Sequence, residues 1–239
     1  MSEWVRCLRA RLFADVPRDR DAYHAEIERR LASGMRVLDV GCGKGVLHPF
    51  PWDRFPDVVL AGIDPDPEAA SNPRIREFNL LVPGEPWKLP PESFDLVICR
   101  YVLEHVEAPN EFLGNVHRVL KPGGLLIFLT PSRYYPAMIV SALLPHASHR
   151  RILARTKVSA ENDVFPTFYR MNSKRALRGQ AQQNRFEVDL LMQRDFQPAD
   201  YLDFNSLLFV LNLLAYYVGK LVRLDRQIGA SLLGVLRRR

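Results

Sequence analysis

Residues 37–45 read Val37-Leu38-Asp39-Val40-Gly41-Cys42-Gly43-Lys44-Gly45, and the next apolar run, from Val58, closes on an acid, Asp64. An apolar segment therefore passes straight into a loop with glycine at every second position. Glycine leaves no side chain in the way, so the backbone can turn tightly and approach a flat ligand closely. A carboxylate about 20 residues beyond such a loop is placed to accept hydrogen bonds from ribose hydroxyls. The pattern points to a nucleoside site at the end of a buried strand; the plainer alternative is an ordinary strand-to-helix turn.

Spacing separates two kinds of nucleoside site. The dinucleotide fingerprint is G-x-G-x-x-G, with its third glycine where Val46 stands and a helix N-terminus reserved for a pyrophosphate. Here the loop is G-x-G-x-G, led in by Asp39. That acidic lead-in resembles motif I of the class I S-adenosylmethionine-dependent methyltransferases, small-molecule type, whose ligand has no phosphate and carries a cationic sulfonium and amino group. The resemblance continues through Gly62-Ile63-Asp64, Leu89-Pro90 before Ser93-Phe94-Asp95-Leu96-Val97-Ile98, then Leu103-Glu104-His105-Val106, and Val119-Leu120-Lys121-Pro122-Gly123-Gly124 running into Leu125–Leu129.

What the resemblance implies is an α/β, Rossmann-like, doubly wound and mostly parallel sheet of seven strands with S-adenosylmethionine as cofactor. Gly41, Cys42, Gly43 and Gly45 become the floor beneath the methionyl and adenosyl groups. Asp39 either helps to hold the amino group or bonds loop amides as a buried acid. Asp64 becomes the ribose ligand, its alternative being a turn cap before Pro65, a role Asp66 can share. Asn79 and Leu80 fall where the family commonly places an acid near the adenine amino group; Asn79 is a departure that can accept only through its amide oxygen. Arg100 and His105 follow the fourth strand at its carboxyl end, where open α/β sheets place ligand crevices. His105 is the candidate general base, since imidazole titrates near neutrality; the alternative is a packing histidine. Tyr134, Tyr135, Tyr169 and Arg170 are candidates for the acceptor pocket or for plain packing, and Tyr23 and His24 can cover the cofactor.

Composition allows such a fold. The chain has 239 residues, 47% of them apolar, enough for one large core. Cys7, Cys42 and Cys99 are odd in number and scattered, suggesting neither a disulfide framework nor a metal site. Met1–Ala10 holds Glu3, Arg6 and Arg9 and no apolar h-region, so a cleaved secretory signal is not expected and the cytoplasm is the expected compartment. Net charge is +6, unevenly placed: residues 1–132 hold 16 Lys/Arg against 19 Asp/Glu, residues 133–239 hold 17 against 8. A basic second half suits an anionic partner, nucleic acid or lipid surface.

Expected elements are a helix over Asp19–Ala32, strands at Arg36–Val40, Val58–Ile63, Arg74–Phe78, Phe94–Arg100 and Gly124–Thr130, a helix over Asn110–Leu120, and closing strands at Arg185–Arg194 and Ser231–Leu236. Prolines 49, 51, 56, 65 and 67 make the first crossover helix short or displaced. The chain is read as an N-terminal helical cover (1–33), a cofactor-binding core (34–132) and an acceptor-side helical cap, apolar and basic, with the closing strands (133–239).

Two stretches of that cap are unusual. Ala137–Leu144 is apolar and is followed by His146–Lys157, with four Lys/Arg, two His and no acid. Asn205–Leu224 is very apolar, uncharged from Phe204 to Gly219, too short at 16 residues for the roughly 20 that span a bilayer. Asn205, Asn212, Tyr216, Lys220, Arg223 and Gln227 make a polar stripe that leaves a face of Leu207, Leu211, Leu214, Val218 and Leu221. Such a helix lies in a membrane interface, roofs a greasy pocket, or packs as a cap.

The reading is methyl transfer to a small-molecule or lipid-linked acceptor, preferably at oxygen, with an anionic membrane surface as candidate partner. The alternatives are an RNA methyltransferase, disfavoured because neither a base-flipping element nor an aromatic-basic module is found, and a non-catalytic, membrane-associated binder of the same cofactor.

Overall fold

The computed structural model describes residues 3–14, 18–45, 50–82, 84–134, 165–194, 206–221 and 229–239. Its centre is one sheet of β1 (Arg36–Val40), β2 (Val59–Asp64), β3 (Glu77–Leu80), β4 (Phe94–Arg100), β5 (Leu120–Pro131), β6 (Phe186–Arg194) and β7 (Ser231–Arg238). The order is β3-β2-β1-β4-β5-β7-β6. β1 to β5 pair in parallel, and β7 inserts antiparallel between β5 and β6. The expected seven-stranded, mostly parallel α/β sheet is what the chain forms.

Strand period explains the double burial. Val37, Leu96 and Ile98 point to one face, where Tyr23 and Ile27 of α2 (Asp19–Glu28) pack; Leu38, Val97 and Cys99 point to the other, under Leu113 and Val116 of α3 (Pro109–Val119) and Leu177 and Ala181 of α4 (Lys174–Gln183). Runs apolar at every position are what a sheet covered on both faces requires.

Boundaries differ from expectation where side chains intervene. β3 begins at Glu77 because Asn72 and Arg74 are occupied elsewhere: Asn72 Oδ1 accepts from Arg74 N at 3.1 Å, and Arg74 reaches back to the Gly45 carbonyl at 3.0 Å. Lys121-Pro122-Gly123-Gly124 does not merely end α3; it is an excursion within β5, whose pairing with β4 jumps from Phe94↔Leu120 to Leu96↔Leu125. The first crossover shows, among the described residues, only a 3₁₀ turn at Trp52–Arg54. α4 escaped sequence reading because its ten residues, Lys-Arg-Ala-Leu-Arg-Gly-Gln-Ala-Gln-Gln, carry just one large apolar side chain; Ser173 caps it by accepting from Ala176 N at 3.2 Å.

Two helices form a further pair. α1 (Glu3–Leu12) and α5 (Ser206–Leu221) meet through Trp4–Phe209, centroids 6.0 Å apart, and Phe13–Tyr216 at 5.2 Å, both edge to face. Tyr216, placed by sequence in the polar stripe, is buried, while Leu207, Leu211, Leu214, Val218 and Leu221 are exposed. Among the described residues the leucine face therefore roofs no pocket and packs on no core: the aromatic contacts with α1 and Phe13 decide which side turns in. The basic stretch His146–Lys157 and the apolar Ala137–Leu144 lie outside the described residues.

The tightest packing joins the late strands to the early ones. A Cβ built on Gly234 of β7 would stand 2.2 Å from Cζ of Phe128, its fully buried partner on β5. Gly234→Ala is therefore expected to lower unfolding stability by about 1–3 kcal/mol, read as a shifted urea midpoint; an unshifted midpoint would show that the ring yields freely.

Candidate active site

The chain runs outward from β1 to β2 and β3, then returns across the sheet to β4. At that reversal the carboxyl ends of β1 and β4 part, the position where open α/β sheets bind ligands. A crevice of about 340 Å³ opens there.

The glycine loop is its floor. Gly41, Gly43 and Gly45 take positive φ of 72°, 48° and 73°. Gly45 has a second reason to be glycine: an added Cβ would stand 2.5 Å from Asn72 Oδ1. Asn72, buried, donates through Nδ2 to the carbonyls of Cys42 (3.1 Å) and Gly43 (3.0 Å). The loop's outward N–H is held by an acid: Asp64 Oδ2 accepts from Gly43 N and Oδ1 from Asp66 N, each at 2.8 Å. Asp64 is thus a turn cap, as its alternative reading had it. Four lone-pair sites on a carboxylate leave it room to accept two hydroxyls as well. Asp66 caps the next 3₁₀ turn by accepting from Glu68 N.

Asp39, Cys42, Arg100, Tyr23 and His24 stand on the crevice walls with the three glycines and Asp64. Removal from water pushes the Asp39 carboxyl up to about 7; the Arg100 charge opposes this and Asp64 adds to it. Burial pushes the Cys42 thiol up to about 12, so it stays protonated and is no nucleophile. Asp39 and Arg100 thus offer opposite charges at one end of the crevice. At its side His24, Phe50 and Trp52 form an aromatic group, with Phe50 5.4 Å from His24 and 4.6 Å from Trp52. Phe50, Trp52, Asn72 and Arg74 were not singled out in the sequence. Phe50-Pro51-Trp52 was the available signal; for Asn72, no local pattern shows that the fold carries it under the loop.

Other expected residues sit elsewhere. Asn79 and Leu80 end β3, opposite Ile63 and Asp64, and are not on the crevice wall; Leu80 is exposed. Tyr134 is exposed with Arg133 over its ring, and Tyr135 lies outside the described residues. His105, Tyr169 and Arg170 gather beside the crevice. The Glu104 carbonyl accepts from the N–H of Phe168 (2.7 Å) and Tyr169 (3.2 Å), and Arg170 donates to the Glu107 carbonyl at 2.6 Å. Glu104 itself is buried, bonded by Thr130 Oγ1 at 3.0 Å, and burial raises its pKa. His105 Nδ1 lies 3.0 Å from the Pro166 carbonyl, which can only accept; Nδ1 therefore carries the proton and Nε2 is left as the basic nitrogen. Phe165, edge-on to His105 at 6.1 Å, is the member of this group that reaches the crevice wall.

This geometry agrees with the comparisons. A family model described as a methyltransferase domain matches residues 12–191. The chain belongs to the class I S-adenosylmethionine-dependent methyltransferases. It is 32% identical over 138 residues to the ubiquinone biosynthesis O-methyltransferase of Pseudomonas syringae pv. tomato, covering 51% of this chain and 59% of that one. It is 34% identical over 129 residues to the mitochondrial ubiquinone biosynthesis O-methyltransferase of Schizosaccharomyces pombe, covering 49% and 45%. The chain thus spans about half the length of these relatives. In fold it resembles geranyl diphosphate C-methyltransferase of Streptomyces coelicolor A3(2), solved with S-adenosyl-L-homocysteine, at a TM-score of 0.57, 14% identity and coverage of 92% and 79%.

S-adenosylmethionine is the family's cofactor, and the residues present fit it: a side-chain-free floor, an acid at the ribose position, paired opposite charges and an aromatic side wall. Asn72→Ala withdraws the amide from the Cys42 and Gly43 carbonyls and is expected to cost about 1–3 kcal/mol. Thermal unfolding with and without cofactor checks this, and an unchanged melting temperature in both would remove the bracing role.

Proposed function

We propose that the protein transfers a methyl group from S-adenosylmethionine to a hydroxyl oxygen of a small, hydrophobic acceptor, phenolic and lipid-linked in character. The observation that carries the reading is the Glu104–His105 turn under its 165–172 cover, which holds the His105 imidazole through Nδ1 and edge-on to Phe165, a residue of the crevice wall. The relatives named for ubiquinone biosynthesis support oxygen and a lipid-linked acceptor. Free Cys7, Cys42 and Cys99 suit a reducing cytoplasm.

The roles follow from charge and hydrogen-bonding capacity. Bound in the crevice, the cofactor supplies a methyl carbon activated by its sulfonium. Asp39 would hold the methionyl amino group, Arg100 the methionyl carboxylate, and Asp64 would accept from the ribose hydroxyls. A phenol has a pKa near 10, so His105 Nε2 takes the hydroxyl proton and leaves the oxygen nucleophilic. Most of the remaining acceleration comes from holding acceptor and methyl in line.

Labelled cofactor with catechol-type and prenylated phenol acceptors tests the reaction. His105→Gln is expected to lower kcat by about 10²–10⁴-fold while cofactor affinity stays constant, and Asp64→Ala to weaken cofactor binding in calorimetric titration by at least tenfold, about 1.4 kcal/mol. Labelling of RNA and of no phenol would replace the reading with the nucleic-acid one, and cofactor binding without transfer to any extract fraction would leave a binding protein.

Asp39 supplies a pH signature. Its folded pKa, about 7, lies above the unfolded value near 4. Between those values the folded state binds more protons, so the stability of the cofactor-free protein falls as pH rises through that window and stays at the lower level above it. A cationic ligand prefers the ionised acid, so cofactor affinity runs the opposite way, rising about tenfold from about pH 6 to about pH 7.5 with proton release. Asp39→Asn should flatten both profiles; a variant that keeps the wild-type pH dependence would show that another group is responsible.

A further inference from the structure

Half of the exposed large apolar side chains among the described residues lie on α5. Leu207, Leu211, Leu214, Val218 and Leu221, flanked by Val210 and Tyr217, fall within an arc of about 120° at about 100° per residue. Leu207 is 67% and Leu221 83% exposed, values of side chains standing in solvent. The opposite side of the helix is pinned: Phe209 and Tyr216 are edge to face with Trp4 of α1 and with Phe13, the residue after it. The helix cannot roll its leucines inward without breaking both contacts.

We propose that this face of α5 lies in the headgroup boundary of an anionic membrane, with the helix axis parallel to the surface. Over its 16 described residues α5 rises about 24 Å against a hydrocarbon core of about 30 Å, and no described helix is long and apolar enough to cross a membrane. A single apolar arc on an otherwise anchored helix is the form of an interfacial element.

Charge selects the leaflet over a second copy of the chain. In sequence, residues 133–239 hold 17 Lys/Arg against 8 Asp/Glu, and on α1 beside α5 Arg11 and Arg6, the latter 3.9 Å from Glu3, are exposed. An anionic surface attracts such a lobe, while two copies meeting through α5 would bring like charge together. The five-residue seam does have the 4-3-4-3 spacing of a coiled coil. Two heptads are short for one, and Val210 and Tyr217 occupy the flanks where charged residues specify a partner helix. The proposal stands on α5 and its charges and does not depend on which acceptor is methylated.

Flotation of the full chain with phosphatidylcholine vesicles, with and without phosphatidylglycerol, tests it. Binding is expected on the anionic vesicles and to weaken with salt. Leu211→Gln/Leu214→Gln should lower partitioning at least tenfold, and Arg6→Gln/Arg11→Gln up to about fivefold per arginine. α5 is off the crevice wall, so unchanged cofactor affinity shows that the variants are folded. The proposal falls if the full chain stays unbound on anionic vesicles, if the double leucine variant floats as well as the wild type, or if light scattering shows a dimer that this variant dissociates. A protein that floats yet methylates no phenol overturns the acceptor reading and leaves the membrane face standing.

Discussion

The crevice depends on one carboxylate. Asp64 ends β2 and accepts from the N–H of Gly43 in the neighbouring loop and of Asp66 in its own turn, each at 2.8 Å. Parallel pairing of β1 with β2 sets that distance, since Val40 lies opposite Ile63 and the loop leaves β1 one residue later. Charged hydrogen bonds of this kind are roughly twice as strong as neutral ones, so the loop's shape is tied to the sheet rather than to its own glycines. Asn72 completes the clamp from below by taking the carbonyls the turn exposes. A ligand entering the crevice meets a loop already fixed, and little ordering entropy remains to oppose binding.

Electrostatics then divide the crevice. Burial, and less strongly the nearby Asp64, disfavour charge on Asp39, and Arg100 offsets this without cancelling it. Such an arrangement is unfavourable in the empty protein and relieved by a cation. A zwitterionic methionyl end, positive at its amino group and negative at its carboxylate, answers Asp39 and Arg100 together.

How much of this was legible in the sequence follows from how local each cause is. The strands were readable to the residue at β1 and β4, because burial on both faces writes an apolar run into Val37–Val40, interrupted only by Asp39, and an unbroken one into Leu96–Cys99. The glycine loop and Asp64 were readable because their chemistry restricts residue type. Asn72 was not: its role exists only once β2 and the following turn bring it under Cys42. α4 was invisible because Leu177 and Ala181 suffice to dock it, with Ser173 holding its start. β3 lies later than the sequence suggests, Glu77–Leu80 rather than Arg74–Phe78, and so takes in Asn79 and Leu80, opposite Ile63 and Asp64. For α5 the amphipathic pattern was visible and its orientation was not. Polarity alone sends Tyr216 outward, yet ring-to-ring contact with Phe13 turns it in.

The N-terminal helices connect the two working surfaces. Asp19, the first residue of α2, accepts through Oδ2 from Tyr101 Oη at 2.7 Å and from Ser231 Oγ at 2.9 Å, tying the helix both to the end of β4 and to the start of β7. Tyr101 is held in the left-handed region, φ 58°, a conformation a bulky residue keeps only where its surroundings over-determine it. α2 in turn supplies Tyr23 and His24 to the crevice wall, and α1, seven residues upstream of it, is the partner that fixes how α5 faces.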